Sequence, residues 1–393
     1  MAVGSQGGAT LEEWLGCEYP GFGPLMRICW AGTFDPSFER NQRLREYLDA
    51  ASLDYRQVRV DLWPVDRPDA FRHGLRSVLF RMAITYPVLI ARLLIAPTPD
   101  IYLVSYPGWF DVPIVKLVAW IKRRPIVFDI FISLYDTAIS DRGLASTDSL
   151  VARLSRLIDR MSMRLSQRVI SDCPAHAQYL ADLAGLPDDR FGIVYVGADE
   201  SVFYPTHPRD ERGDLVVFYG TFVPLQGTEW IVKAAALLQD RGYRFRIIGS
   251  GQKSNATMEL ARDLGTANVQ FVDPVPKSQL VDEMARATLC LGIFGTSPKA
   301  NRIIPHKVFE ALACGRPVLT GATEAISETF HQGEVAVCPV GDPNLLADHI
   351  ERLMNSESER LSLARNGRAR FEKDFSLVPQ SKRLECELQM VTE

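Results

Sequence analysis

The sequence predicts an α/β fold in which two Rossmann-like domains, each built on a parallel sheet, follow one another along the chain. Three observations support this prediction. The 393 residues exceed what one hydrophobic core usually serves. Short apolar strands alternate with helical segments in both halves, which is the pattern of a parallel sheet covered by helices. A polar, proline-rich stretch at 205–214 separates the two halves.

The predicted boundaries divide the chain into four segments. Residues 1–23 form a glycine-rich N-terminal extension and 24–207 the first domain. Residues 208–365 form the second domain and 366–393 a C-terminal helical segment. We expect this last segment to pack back on the first domain.

Within the domains, the predicted strands alternate with helices, and the first strand runs into a helix that begins near Arg40. Ligands of such open sheets bind outside the carboxyl ends of the strands, so the loops that follow the strands are the candidate sites. The predicted strands are 26–30, 56–62, 100–105, 125–130, 167–171, 192–196, 215–219, 245–248, 269–272, 288–294 and 317–320. The predicted helices of the second half are 229–240, 257–264, 278–286, 305–313 and 344–354.

Composition argues against several classes of function. The chain is 47% hydrophobic and 23% charged, with a formal net charge of -4, which gives no general attraction to nucleic acid. Its seven cysteines are scattered without a C-x-x-C pair, which favours a reducing cytosol. The first residues lack the basic start and apolar stretch of a secretory signal. We therefore expect a cytoplasmic protein.

One stretch of the first half combines apolar and basic residues. Residues 77–96 are the most apolar part of the chain, but Arg81, Pro87 and Arg92 interrupt them, so no membrane-spanning helix is predicted. Extended back to Phe71, the stretch holds four arginines and no acidic residue. Two interpretations stay open. The stretch is either a core helix with a basic outer edge or a peripheral segment on the inner face of an anionic membrane.

The helix predicted at 305–313 carries the clearest chemical signal. Pro305 suits its first turn, and Gly315 suits its end. His306 and Lys307 place positive charge where the helix dipole is already positive, which costs about 0.3–1 kcal/mol. Either a bound phosphate removes that conflict or Lys307 is a solvated lysine that tolerates it. Two upstream cations would enlarge the same positive pocket: Lys299 and Arg302.

Two further loops follow predicted strands and contain glycines. The loop G-T-F-V-P-L-Q-G at 220–227 leads into a helix and is either a phosphate-facing loop or a simple tight turn. The loop I-I-G-S-G-Q-K-S at 247–254 matches neither the dinucleotide fingerprint nor a Walker loop. No D-x-D motif and no ligand-spaced group of histidines occurs in the sequence, so we expect no metal.

In their order and spacing, these three loops resemble the donor domain of glycosyltransferase family 4, a group of retaining GT-B enzymes. The matching segments read G-T-F-V-P-L-Q-G, I-G-S-G and E-A-L-A-C-G-R-P-V, and the resemblance covers roughly 26–354. It implies two Rossmann-like domains whose sheets face each other across a cleft, the first for the acceptor and the second for a nucleoside diphosphate sugar. It also implies retention of configuration, no metal and no cofactor, with the nucleotide sugar as co-substrate.

The resemblance assigns roles to individual residues. Glu310 would accept hydrogen bonds from the ribose hydroxyls, and Lys307 and Arg302 would neutralise the leaving diphosphate. Asp136 joins these three as a candidate catalytic residue, and Ser133 and His176 are the candidate acceptor contacts. The expected donor-binding residues are Gly32, Gly220, Thr221, Phe222, Gln226, Gly249, Ser250, Gly251, Gln252, Pro305 and His306.

Three departures from the family pattern affect these assignments. Arg302 stands at the first position of the pattern Glu, seven residues, Glu, which leaves the donor sugar open. Gln226 replaces a phosphate-binding lysine, and Lys307 and Arg302 would compensate for its missing charge. The histidine often found after the fifth strand of the first domain is absent, and the polar candidates in that segment are Asp129, Ser133 and Asp136.

The first domain offers weaker signals, each with two interpretations. Gly32 and Thr33 resemble a glycine-rich turn beside the reacting centre, while Arg40 and Asn41 after them could equally be ordinary helix-start residues. His176 is either an acceptor contact or a structural histidine. Ser133 and Asp136 either face the cleft or cap their loop.

These observations predict an enzyme that transfers a sugar from a nucleoside diphosphate to a hydroxyl of a glycan, a lipid-linked glycan or a small molecule. Two alternatives keep the fold: a nucleotide-sugar epimerase or phosphorylase, and a catalytically silent binding subunit, which Arg302 and Gln226 would favour. The expected partners are the donor and acceptor, with peripheral membrane contact for a lipid-linked acceptor and no nucleic acid. The sequence does not determine the oligomeric state.

Overall fold

The computed structural model describes residues 26–62, 75–206 and 213–392, without the side chains of 75–79. The chain forms two compact units. Unit 1 holds the described residues up to Thr137, together with Ala145–Tyr195 and the residues from Gln380 onward, and unit 2 holds Ala138–Leu144 and Val196–Pro379. The predicted N-terminal extension at 1–23 lies outside the described residues, as do residues 207–212 of the predicted linker and the start of the basic apolar stretch.

Unit 1 is built on a parallel sheet of six strands in the order β2-β1-β3-β4-β5-β6. The first described strand, β1, lies inside the sheet. The chain moves outward to β2 and then reverses to the other side of β1, where Ile28 pairs with Ile101. The inner strands are buried apolar runs, as expected for a parallel sheet covered on both faces. The strands are β1 (Arg27–Gly32), β2 (Asp54–Arg59), β3 (Ile101–Val104), β4 (Ile126–Asp129), β5 (Arg168–Ser171) and β6 (Phe191–Ile193).

Within the described residues, five α-helices connect these strands. Because parallel crossovers are right-handed, the helix between β1 and β2 lies on one face of the sheet, and the four helices that follow lie on the other. Those four pack side by side, each against the next. They are α1 (Glu39–Ala50) on the first face, and α2 (Leu75–Ile95), α3 (Asp111–Lys122), α4 (Leu150–Leu165) and α5 (Pro174–Ala184) on the second.

Unit 2 repeats the arrangement with the strand order β12-β11-β10-β7-β8-β9. Its strands are β7 (Leu215–Tyr219), β8 (Arg244–Ile248), β9 (Val269–Val272), β10 (Leu289–Leu291), β11 (Val318–Gly321) and β12 (Ala336–Cys338). Its helices are α6 (Thr228–Leu237), α7 (Ser254–Asp263), α8 (Lys277–Arg286), α9 (Pro298–Asn301), α10 (His306–Ala313), α11 (Glu324–Thr329), α12 (Pro343–Asn355) and α13 (Glu357–Arg370). A last helix, α14 (Leu377–Gln389), runs from the end of unit 2 into the C-terminal part of unit 1.

The strand predicted at 288–294 is shorter in the structure, since β10 ends at Leu291. Gly292 N and Ile293 O still bond to β11, and from Phe294 onward the backbone bonds to the loop after β7. Phe294 N donates to Gln226 O at 3.1 Å, and Gly295 N to Leu225 O at 3.2 Å. An apolar run in the sequence alone does not show at which residue the hydrogen bonding between strands ends.

Five cysteines of the described residues are free and buried: Cys29, Cys173, Cys290, Cys314 and Cys338. Among the helices of the described part of the chain, none is long and apolar enough to cross a bilayer.

Candidate functional site

The sheet of unit 2 changes direction between β7 and β10, because β8 lies on one side of β7 and β10 on the other. Open α/β sheets bind ligands outside the carboxyl ends of the strands at such a switch point. Gly220 follows β7 directly, and Gly292 follows β10. The topology therefore places the predicted loop 220–227 at the expected binding position.

Helix α10 supplies two of the predicted catalytic side chains. It begins at His306 with Pro305 as its N-cap residue, and Gly315 follows its end with a φ of 64°. Lys307 and Glu310 are three residues apart and share one face of the helix. Both side chains are buried, with 5% of each residue exposed.

The amine of Lys307 meets the loop after β7. Its Nζ donates to Gln226 Oε1 at 2.5 Å and lies 3.8 Å from the centroid of the Phe218 ring. The same atom is 2.8 Å from the point that a Cβ on Gly220 would occupy, so only glycine leaves the amine this position. The structure thus brings Lys307, Gln226 and Gly220 together.

Burial lowers the pKa of Lys307 well below its ordinary value, and the nearby Glu310 carboxylate acts in the opposite direction. A buried amine loses its proton because the apolar surroundings disfavour the charged form. A bound anion would restore the charged form. The N-terminus of α10 favours an anion at the same place.

Glu310 is oriented by Tyr219, the last residue of β7, whose hydroxyl donates to Glu310 Oε2. Burial, followed by the Glu310 carboxylate, raises the pKa of Tyr219 well above its ordinary value, so the phenol stays a donor. Sequence reasoning missed Tyr219. The only signal was its place at the end of a strand that leads into the candidate loop.

The glycines of the second loop make a contact between two loops. A Cβ on Gly249 would lie 2.0 Å from Gly220 O, and one on Gly251 would lie 2.7 Å from Phe222 N. Phe222 N also donates to Ser250 O at 3.0 Å. The Phe222 side chain packs in the core of unit 2 and is fully buried. The other expected donor contacts of these loops are exposed: Thr221, Ser250 and Gln252.

The remaining predicted cations of this region precede α10. Lys299 is buried on α9, and Arg302 is the C-cap residue of that helix. Arg302 and His306 are both half-buried. The predicted positive segment therefore leads directly into the N-terminus of α10.

In unit 1 the corresponding switch point lies between β1 and β3. Gly32 ends β1 with a φ of 143°, and a Cβ there would lie 2.5 Å from Asp111 Oδ2. Asp111 accepts hydrogen bonds from Thr33 N at 2.7 Å and from Thr33 Oγ1 at 3.0 Å, and from the Tyr86 hydroxyl at 3.1 Å. Asp111 therefore fixes the backbone of the turn at Gly32 and Thr33 through these hydrogen bonds.

Sequence reasoning also missed Asp111, which stands in the first turn of α3. Burial raises its pKa to about 6, although the hydrogen bonds from Thr33 and Tyr86 oppose this shift. A carboxylate that accepts three hydrogen bonds in a buried turn positions the backbone. Its sequence signal, a lone aspartate at a helix start, is too common to be specific.

Arg40 and Asn41 both have structural partners. Arg40 is fully buried and forms an ion pair with Asp129 at 2.6 Å, and it also donates to Val194 O at 2.8 Å. Asn41 Nδ2 donates to Asp35 O and to Tyr106 O, each at 2.8 Å. These contacts tie α1 to the carboxyl ends of three strands.

Ser133 occupies a capping position. Its Oγ donates to Asp159 Oδ2 at 2.8 Å and accepts from Asp136 N at 3.0 Å. Asp159 also accepts from the backbone of residues 134 and 135, and burial raises its pKa to about 6. Asp136 is buried and begins a π-helix, Asp136–Asp141. These contacts are those of the loop-capping interpretation.

His176 is buried on α5, where its Nδ1 lies 2.6 Å from Asp172 Oδ1. Burial alone would raise the pKa of Asp172, but His176 and Arg40 outweigh it and lower that pKa. The contact is that of a structural histidine. Within the described ranges, no group of three or more His, Cys, Asp or Glu residues is placed to hold a metal.

A known protein family matches the segment that contains the candidate site. The family described as glycosyl transferase-like matches residues 226–385, a segment that contains Gln226, Lys307 and Glu310. The chain has the GT-B fold of glycosyltransferases. The predicted fold class, two parallel sheets flanked by helices, is confirmed.

Particular relatives make the similarity concrete. A D-inositol 3-phosphate glycosyltransferase of Frankia alni is 30% identical over 220 residues, which is 51% of this chain and 53% of that protein. The match thus spans about half of that relative. HepE of Anabaena, solved with UDP and glucose, has a TM-score of 0.66 at 15% identity and covers 93% of this chain and 100% of its own. Sucrose-phosphate synthase of Thermosynechococcus elongatus has a TM-score of 0.69 at 18% identity, and the match covers 93% of this chain and 97% of that one.

Proposed function

We propose that this protein is a glycosyltransferase that takes a sugar from a nucleoside diphosphate and transfers it to an acceptor hydroxyl. We further propose that it belongs to family 4, retains the anomeric configuration and needs no metal. The observation that carries the proposal is the buried Lys307 amine beside Gly220 and Gln226, at the carboxyl end of β7 and the N-terminus of α10.

In this proposal the diphosphate lies on the N-terminus of α10 and draws Lys307 into its charged form. The bond between the anomeric carbon and the phosphate oxygen breaks, so negative charge develops on the diphosphate. The acceptor oxygen bonds to the anomeric carbon, and the proton of the acceptor hydroxyl passes to the leaving diphosphate. Lys307 stabilises that charge together with the backbone N–H groups, a role in which one lost donor costs about 10² to 10³ in rate. Arg302 is the second proposed cation, and Glu310, held by Tyr219, accepts from the ribose hydroxyls.

A uridine nucleotide is the first donor to test, because HepE was solved with UDP and with UDP-glucose. The proposed acceptors are a glycan, a lipid-linked glycan or a small molecule. The name of the Frankia alni relative adds inositol phosphate to the small molecules worth assaying. We propose Asp136 as a further catalytic residue and Ser133 and His176 for the acceptor side. The contacts of Ser133 with Asp159 and of His176 with Asp172 support positioning roles for these two.

The decisive experiment measures donor binding and turnover in the same preparations. We expect one of a panel of nucleotide sugars to raise the melting temperature, since a ligand that binds the folded state stabilises it by mass action. Glu310→Ala should weaken binding of free UDP in calorimetry by about 10- to 150-fold, the value of a hydrogen bond to a charged group. Unchanged UDP affinity in this variant would contradict the assignment of Glu310.

A matched control is Glu283→Ala. Glu283 is also a buried glutamate of unit 2, but its ion pair is with Arg246, at 2.7 Å, and it lines a pocket at the amino ends of β7 and β8. Its loss should lower stability and leave UDP affinity unchanged. Product analysis then separates the reactions: sugar transfer requires an acceptor, epimerisation proceeds with the donor alone, and a silent subunit binds without turnover.

A further inference from the structure

Unit 1 carries large apolar side chains on the solvent side of its helix layer. On α2, Phe80, Ile84 and Val88 recur at intervals of four residues and so share one face. On α3, Leu117, Trp120 and Ile121 are exposed, and Trp120 has 77% of its surface accessible. Helices α2 and α3 pack against each other, so these side chains belong to one surface.

Helix α4, the next in the layer, is apolar on its outer side and small or polar on its inner side. Its exposed residues include Leu150, Leu154, Leu157 and Met161, which follow helical spacing. Its buried residues are Ala152, Ser155, Asp159, Ser162 and Met163. A helix that only covers a core has its apolar stripe inward. The outward stripe of α4 therefore requires a second apolar environment.

The exposed charges on these three helices have one sign. Helices α2, α3 and α4 contain two carboxylates, Asp111 and Asp159, and both are buried and hydrogen-bonded. Their exposed charges are arginines such as Arg81, Arg92 and Arg153. A surface that interleaves leucine and arginine without an exposed carboxylate is complementary to anionic phosphate above an acyl layer.

We propose that the outer faces of α2, α3 and α4, here called the docking face, bind the surface of an anionic lipid bilayer. The apolar side chains enter the boundary between headgroups and acyl chains, Trp120 lies at headgroup level, and the arginines contact lipid phosphates. This surface extends the basic apolar stretch of the sequence to two further helices. It is independent of the proposed sugar-transfer reaction.

The experiment is sedimentation of the full chain with two kinds of vesicle. One is phosphatidylcholine alone, and the other is phosphatidylcholine with about a third phosphatidylglycerol, an anionic lipid. We expect binding to the anionic vesicles, weak binding to the neutral ones, and weaker binding as salt rises. The variant Arg81→Gln with Arg153→Gln should reduce the partition coefficient about 25-fold, because each cation near the surface contributes about fivefold. The variant Leu154→Gln with Leu157→Gln should reduce it at least about tenfold.

Matched controls come from unit 2, where Leu361 and Arg262 are also exposed. The variant Leu361→Gln with Arg262→Gln should bind vesicles like the parent protein. Equal loss in this control, equal binding to neutral vesicles, or no vesicle binding at any salt would overturn the proposal. Analytical ultracentrifugation measures the oligomeric state of the parent protein and of the α4 variant. If the protein binds no vesicles and forms a dimer that the α4 variant dissociates, the docking face is a contact between copies of this chain.

Discussion

At the scale of single residues, Lys307 has conflicting requirements in folding and in binding. Folding buries its amine and lowers its pKa, whereas a diphosphate needs the amine charged. Between the lowered pKa and the ordinary value of 10.5, the unfolded chain binds a proton that the folded chain does not. The free energy of unfolding of the ligand-free protein therefore rises with pH across this window, contributed by this one group.

We predict that Lys307→Met removes this pH dependence, stabilises the ligand-free protein and weakens UDP binding. The loss in binding should be about 1.5–3 kcal/mol, the value of a hydrogen bond to a charged group. Calorimetry of UDP binding in buffers of different ionisation enthalpy should show proton uptake in the parent protein and none in the variant. Denaturant unfolding at several pH values measures the stability.

The control for this prediction is Lys233→Met. Lys233 also places its amine over an aromatic ring, 4.5 Å from the centroid of Trp230, but it lies on α6 and not on α10. We expect unchanged UDP affinity there. Parent-like proton uptake in Lys307→Met would show that another group takes up the proton.

A candidate site residue can be selected from the sequence where its charge is unfavourable for the local structure. Lys307 stood out because a cation at a helix start is unfavourable without an anion, and the structure places it beside Gln226. Tyr219 and Asp111 were not predictable, since their partners Glu310 and Thr33 lie 91 and 78 residues away. Phe222 was expected at the donor, but its side chain completes the core.

At the scale of elements, the two candidate loops of unit 2 depend on each other. Gly249 has a φ of 134°, and its neighbour is the carbonyl oxygen of Gly220. We predict that Gly249→Ala lowers the free energy of unfolding by about 3 kcal/mol or more, from backbone strain and the contact together. UDP affinity should fall with it, because the displaced atom belongs to the loop beside Lys307.

The comparison for this prediction is Gly242→Ala. Gly242 also has a positive φ, 79°, but a Cβ there would meet nothing within 4 Å. Its cost should be that of the backbone alone, about 1–2 kcal/mol, with UDP affinity unchanged. Equal effects of the two substitutions in chemical denaturation would show that the contact between the loops contributes nothing.

Element types were predictable because hydrophobic period and helix punctuation are local. The helix at 305–313 was predicted within one residue of α10. The strand predicted at 288–294 is longer than the observed β10, because hydrogen bonds to the loop after β7 fix the backbone beyond it. Propensity could not reveal that α4 has its leucines outward.

At the scale of the whole molecule, the chain end contributes to unit 1. Glu387 of α14 forms an ion pair with Arg168 at 2.6 Å, and both side chains are largely buried. A Cβ on Gly192 would lie 2.0 Å from the Glu387 carboxylate, so glycine provides the space for it. Tyr195 N also donates to Gln380 Oε1 at 2.7 Å.

We predict that Glu387→Ala destabilises unit 1 by about 3 kcal/mol, because it leaves the Arg168 charge without its carboxylate. Scanning calorimetry should show unfolding at a lower temperature than in the parent protein. Glu385→Ala on the same helix is the control and should unfold like the parent. An unchanged melting temperature in Glu387→Ala would contradict this prediction.

The sequence by itself determined the α/β class, the alternation of strands and helices in each half, and the positive helix start at Lys307. These features follow from local spacing, charge and punctuation. Only the tertiary structure decided the strand order, the contact between the loops at Gly220 and Gly249, and the outward leucines of α4. The physical reason is that parallel strands, buried ion pairs and shared surfaces join residues far apart in the chain, and local patterns do not record those distances.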